Sequence, residues 1–142
     1  MSKILITGGA GYVGSLLSKQ LESKGHQIII YDTCWFGTEH IVESPNLKLI
    51  QGDIRDKQKF ENSVEGCDIV LHLACISNDP SFELNPKLGK SINLTAFEPL
   101  VKISKNNGVK RFIYASSSSV YGIKKSKNVN EKMSLNPLTD YS

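Results

Sequence analysis

Lys3 to Leu17, KILITGGAGYVGSLL, is the stretch whose reading decides the fold. KILIT (3–7) is a short apolar run that stops at glycine, the pattern of a buried strand. Beyond the glycines, Val13, Leu16, Leu17 and Leu21 recur at helical spacing until Lys24-Gly25 ends the helix. Between strand and helix lie Gly9-x-Gly11-x-x-Gly14 and, overlapping it, Gly8-x-x-Gly11-x-x-Gly14. A plain β-to-α turn uses the same residue, so the match alone is weak. Its context strengthens it. Glycines between a strand and the helix it feeds allow a tight turn and bring backbone N–H groups close to a bound anion.

Working outward, the same alternation continues. HQIIIYD (26–32), LKLIQGD (47–53), DIVLHLA (68–74) and KRFIYAS (110–116) read as further strands. Residues 56–66 read as a short helix that Asp56 can cap, and 86–107 as a longer one closed by Gly108. Pro99 is awkward inside that second helix, where it removes a hydrogen bond. Residues 76–86 read as a loop near substrate. Apolar strands alternating with helices imply an α/β fold: a doubly wound, Rossmann-type parallel sheet in the order 3-2-1-4-5. A chain of 142 residues makes one domain, 1–142.

The second strand ends at Asp32, 18 residues after Gly14. A carboxylate there can accept both hydroxyls of an adenosine ribose and would repel a 2′-phosphate. Turn capping is the plainer role. Loop and acid together point to a dinucleotide, NAD before NADP. Asp53 closes the third strand, where this fold borders an adenine; a solvated turn aspartate explains it equally well. His26, His40 and His72 are too dispersed for a metal site, and His72 in its apolar strand reads as a satisfied core histidine.

Bulk properties exclude other classes. The net charge is +3, with scattered lysines and no basic stripe or reading motif for nucleic acid. No apolar run approaches the roughly 18 residues of a membrane span. Cys34, Cys67 and Cys75 form no CxxC and are odd in number, as expected of reduced thiols in a cytoplasmic protein.

FIYASSSSVYG (112–122) sets four serines beyond the fifth strand, where open α/β sheets bind ligands. A polar turn would look the same. TGGAGYVG, Asp32, GDIRD, HLA, Asn93 and YASSSSVYG stand in the order seen in extended short-chain dehydrogenase/reductases. Across essentially the whole chain the sequence most resembles the NAD-dependent nucleotide-sugar epimerases and dehydratases of that family. The resemblance implies that Gly8, Gly11, Tyr12, Val13 and Gly14 cradle a pyrophosphate. Asp32 and Thr33 would face the adenosine ribose, and Asp53 and Ile54 the adenine. Leu73, Ala74 and Cys75 would line the cofactor cleft, with Ala115 near it, in a segment where the family usually has HLAA. Asn93 matches a helix asparagine that supports the site.

Ser117 takes the position of the catalytic Ser/Thr, and Tyr141 that of the tyrosine in YxxxK. In such enzymes a hydride passes from a sugar carbon to NAD while a phenolate accepts the hydroxyl proton. A free phenol titrates near 10, so a phenolic base at neutral pH needs positive charge beside it, from the motif lysine and the nicotinamide. The dehydratases carry an Asp-Glu pair after the Ser/Thr; Ser118 and Ser119 stand here. That departure puts an epimerase or a keto-sugar reductase ahead of a dehydratase. A non-catalytic dinucleotide-binding module stays open, since fold alone assigns no function.

The motif lysine would fall four places after Tyr141, beyond Ser142. The expectation is therefore an incomplete enzyme, lacking a sixth strand and a substrate-binding domain, and inactive alone. Its fifth strand would be an open edge prone to self-association, and a homo-oligomer is an open expectation. Residues 123–142, rich in Lys, Ser and Asn, would hold Tyr141 only loosely.

Overall fold

The structure, a computed structural model, describes all residues from Met1 to Ser142. Strands β1 (Lys3–Thr7), β2 (Gln27–Asp32), β3 (Leu47–Gln51), β4 (Ile69–His72) and β5 (Arg111–Tyr114) form one parallel sheet. Its order is β3-β2-β1-β4-β5, as the alternating pattern predicts. β1 has the expected bounds, and the other strands are up to three residues shorter than expected. From β1 the next strands are added outward on one side, to β3, and the later ones on the other, from β4 to β5, so the strand order reverses between β1 and β4. A crevice therefore opens at the C-terminal ends of those strands.

Alternate residues of each strand feed two cores. Ile4 and Ile6 of β1 join Ile28 and Ile30 of β2 and Leu47 of β3 on one face, under α1 (Tyr12–Ser23). Leu5, Tyr31 and Val70 point to the other face and meet Phe60, Val64 and Leu100. Those last three belong to α2 (Lys57–Val64) and α5 (Phe97–Asn106). Phe60 is fully buried and meets the Tyr31 ring edge-on at 5.8 Å. Truncating such a residue to alanine costs about 3–5 kcal/mol.

Asp56 caps α2, its side chain accepting the Lys59 N–H at 3.0 Å. Residues 76–86 are not a plain loop. They contain α3 (Asp79–Leu84), and α4 (Pro86–Lys90) follows directly. Each helix starts with an asparagine cap and an early proline. The Asn78 side chain accepts the Ser81 N–H at 2.9 Å, and that of Asn85 accepts the Leu88 N–H at 3.1 Å. Proline in a first turn loses no helix hydrogen bond.

The single helix expected over 86–107 is instead three pieces. After α4 comes a π-helical turn, Ser91–Thr95, in which the Ala96 N–H reaches back five residues to Ser91 O at 3.2 Å. α5 then begins at Phe97. Pro99 explains the break: its missing N–H cannot bond Thr95 O, and its ring would strike that carbonyl in an unbroken helix. The wider turn puts Pro99 in a first turn, where it is tolerated.

Candidate active site

The glycine turn joins β1 to α1 at the crevice. Gly8 has φ +71°, and a Cβ there would lie 2.6 Å from the backbone nitrogen of Ala74. A Cβ on Gly14 would lie 2.5 Å from Gly8 O. Strand and helix packing alone therefore require glycine at both places. Gly11 differs. Only Gly8 O, at 3.2 Å, lies near a Cβ built there, and the residue lines an open cleft. No side chain caps α1 at Gly11. The first N–H groups of a helix have no partner within it, so this end offers unpaired donors, with Tyr12 and Val13 exposed beside them.

The cleft encloses about 840 Å³. Gly8, Gly11, Tyr12, Val13 and Gly14 form one wall, with Asp32 and Thr33 at the end of β2. Asp53, Ile54, Leu73, Ala74 and Cys75 line it too. Asp32 is tied to the loop it faces: one carboxylate oxygen accepts the Ala10 N–H at 3.0 Å, the other the Cys34 N–H at 2.9 Å. Asp53 is held by Arg55, whose Nε lies 2.9 Å from one oxygen and whose terminal nitrogen lies 2.5 Å from the other. That guanidinium contact holds the Asp53 carboxyl below its usual range. The Tyr31 hydroxyl donates to Asp53 O at 2.9 Å, and burial, with Asp56 and Asp53 nearby, pushes Tyr31 up to about 12.

Below the crevice, the buried His72 ring bonds through Nδ1 to Thr7 Oγ1 at 2.7 Å, joining the ends of β4 and β1. Burial pushes its pKa down to about 4, so the ring is neutral at pH 7. It is the satisfied core histidine that its apolar strand suggested.

A second cavity, about 240 Å³, adjoins the cleft at Cys75, which lines both. Ser117 and Tyr141 line it together, although 24 residues separate them. Asn93 and Ala115 lie here rather than in the larger cleft. Asn93 binds backbone: its Oδ1 accepts the Ile76 N–H at 2.9 Å, and its amide donates to Ile76 O at 3.0 Å. It thereby fixes the chain leaving β4, and the π turn aims it there. Ser117 Oγ accepts the Ser119 N–H at 3.2 Å, starting a 3-10 turn over Ser118–Tyr121.

Tyr141 is better anchored than the polar tail suggested. Its hydroxyl donates to Ser77 O at 3.0 Å, and its ring meets Phe82 edge-on at 6.3 Å. Asp140 pairs with Lys90 at 2.8 Å, and Thr139 bonds Asp79. Most of the anchors sit on or beside α3, in the segment expected to be a loop; Lys90 sits on α4, within the helix expected over 86–107. Sequence reasoning also missed Trp35, Phe36 and His40, which line the larger cleft. Large aromatics between strand and loop carried a signal there; nothing distinguished His40.

No helix is long and apolar enough to cross a membrane. The chain is 32% identical over 141 residues to a UDP-glucose 4-epimerase of Lactobacillus helveticus, covering 98% of this chain and 42% of that one. It is 34% identical over 163 residues to a dTDP-D-glucose 4,6-dehydratase of Dictyostelium discoideum, covering 100% and 37%. The fold superimposes with a TM-score of 0.91 on a UDP-glucose-4-epimerase from Stenotrophomonas maltophila solved with NAD and formylated UDP-arabinopyranose. That match has 28% identity and covers 99% of this chain and 44% of that one. The chain thus spans less than half the length of these relatives. The family model for NAD dependent epimerase/dehydratase matches residues 4–142, and the chain belongs to that family.

Proposed function

We propose that residues 1–142 are the NAD-binding part of a nucleotide-sugar epimerase. The observation that carries this is Gly11: an uncapped helix end with room beside it, facing a cleft that also holds Asp32. The donor set fits the cofactor. With no side chains at Gly8, Gly11 and Gly14 to block the approach, the first-turn N–H groups of α1, those of Tyr12 and Val13 among them, would meet a pyrophosphate. Asp32 and Thr33 would take the ribose, and Asp53 and Ile54 the adenine. Leu73, Ala74 and Cys75 would line the path toward the smaller cavity. Asn93 and Ala115 would support the reactive end, Asn93 by holding Ile76.

Bound NAD supplies an acceptor for a hydride leaving a sugar carbon. In this reading the sugar occupies the side where Ser117 and Tyr141 lie. Ser117 Oγ would hold the sugar hydroxyl and Tyr141 would take its proton. Tyr141 must first release the proton it now donates to Ser77 O, and a nearby positive charge would favour that. Ser118 and Ser119 support epimerase over dehydratase chemistry, since neither can act as the acid of a dehydration. The dehydratase remains the second reading because the Dictyostelium relative bears that name. Three free cysteines support a reducing, cytoplasmic setting. Alone, residues 1–142 should bind NAD without turning over a nucleotide sugar.

Calorimetric titration with NAD and NADP tests the reading. NAD should bind more tightly, and Asp32→Ala should weaken NAD selectively. Tighter NADP binding, or an Asp32→Ala chain with unchanged NAD affinity, would overturn it.

A further inference from the structure

One buried side chain is left over by both cores. Phe82 of α3 is 3% exposed yet packs into neither, whereas every other buried apolar side chain joins one or the other. Its cover comes from elsewhere. Gly89 of α4 lies against the ring, and a Cβ built on that glycine would fall 2.5 Å from Phe82 Cε2. Gly89 has no left-handed φ that would require glycine, and alanine is the better helix former. Room for the Phe82 ring is therefore what the position supplies. Tyr141 also meets that ring, edge-on.

A helix of six residues has little stability of its own, so the Phe82 seat on Gly89 ties α3 to α4. The same module holds the other end of the Tyr141 side chain. The Tyr141 hydroxyl donates to Ser77 O. Ser77 follows Ile76, whose N–H and C=O are both clasped by Asn93. Ring and hydroxyl are thus held from one stretch, residues 76–93, which sets both the place and the direction of the phenol. The exposed Asp140–Lys90 pair beside it cannot do as much. Proton transfer needs the phenolic oxygen within hydrogen-bond reach of the sugar hydroxyl, and a ring free to turn would seldom point there.

We infer that Phe82, seated on Gly89, is a positioning residue for the Tyr141 phenol. The inference rests on the reading of Tyr141 as proton acceptor and adds the side chain that holds its ring. The chain has five tyrosines, so NMR spectra of tyrosine-labelled protein with and without Tyr141→Phe identify the Tyr141 ring signals. Phe82→Leu should move those signals to the positions of a free tyrosine. Gly89→Ala should do the same by displacing the Phe82 ring, although it favours the helix. In the Phe82→Leu background Gly89→Ala should add little, because the ring it would strike is gone. In a full-length protein each variant should lower kcat about 10- to 100-fold, with KM and NAD affinity within about twofold.

Tyr141 signals that stay in place in both variants would overturn the positioning role. So would a fall in kcat matched by an equal loss of NAD affinity, or one seen only where circular dichroism shows unfolding. A loss of kcat with Tyr141→Phe but none with Phe82→Leu or Gly89→Ala overturns the positioning alone. If Tyr141→Phe leaves kcat unchanged, the proton-acceptor reading fails and the positioning role with it.

Discussion

The large cleft and the smaller cavity beyond Cys75 are built by different means. The cleft is local in sequence and made largely of main chain. Its turn is pinned because Gly8 and Gly14 sit closer to neighbouring backbone than any Cβ allows, and β1 behind it is almost wholly buried. The cavity draws on four separate segments, around Cys75–Phe82, Lys90–Leu94, Tyr114–Ser117 and Asp140–Ser142. Single contacts between exposed groups hold its far side, such as Asp140 with Lys90, whose side chains are 64% and 53% exposed. Exposed pairs of this kind contribute about 0–1 kcal/mol. One region is preformed to hold a ligand; the other can adjust around one.

Glycine substitutions probe that contrast most harshly. Gly8→Ala must move the backbone of Ala74 and adopt a left-handed φ. It should cost at least about 3 kcal/mol and abolish or sharply lower the thermal transition. Gly11→Val should keep the melt within about 1 kcal/mol of the parent yet lower NAD affinity about 100-fold or more. Equal stability losses at both positions would erase the distinction between packing and binding glycines.

The next effect belongs to the cavity. In a full-length protein, Tyr141→Phe and Ser117→Ala should each lower kcat about 10²- to 10⁴-fold while NAD affinity stays within about twofold. A parallel loss of NAD affinity would mean that the two regions are not separable.

His72 sharpens the comparison from below, since it ties the strand ends under the cleft. It titrates near 4 when folded and near 6.5 when unfolded. The unfolded chain therefore takes up the proton first. Its contribution is complete above about pH 6.5 and is lost as pH falls toward 4, by up to about 3 kcal/mol. Denaturant titrations across that window should show a steeper fall for the parent than for His72→Asn. Identical slopes would mean that the ring protonates in the folded state at its ordinary pKa. Smallest of all, Asp140→Asn should change stability by less than about 1 kcal/mol; a larger loss would show the tail to be a structural strut.

Legibility in the sequence follows the same division. Strand order, the glycine turn and Asp32 could be read because a buried strand, a tight turn and an acid at a strand end each leave a local pattern. The resemblance grouped Ser117 with Tyr141, but no spacing rule does so across 24 residues. α3 was missed although Asn78 followed by Pro80 is a helix start; a capped helix of six residues resembles a polar loop. The aromatic pair Trp35–Phe36 was visible, but the conformation of its turn was not, because it depends on Asp32 and on packing of Cys34 and Ile41. Tyr141 was expected to be loose because its own segment is polar and its anchors, the buried Phe82 ring among them, are distant in sequence.

The π turn has a consequence for how this chain can vary in length. Each helical residue rotates the chain by about 100°. The extra residue accommodated between Ser91 and Ala96 therefore sets the phase of Asn93 relative to α5. Removing one residue there would let an ordinary helix form, swing Asn93 away from Ile76 and return the Pro99 ring to the carbonyl it now avoids. Substitutions at exposed positions of the turn, such as Leu94, should pass with little effect. Deletions and insertions should not, which makes residues 91–99 a segment whose count matters more than its composition.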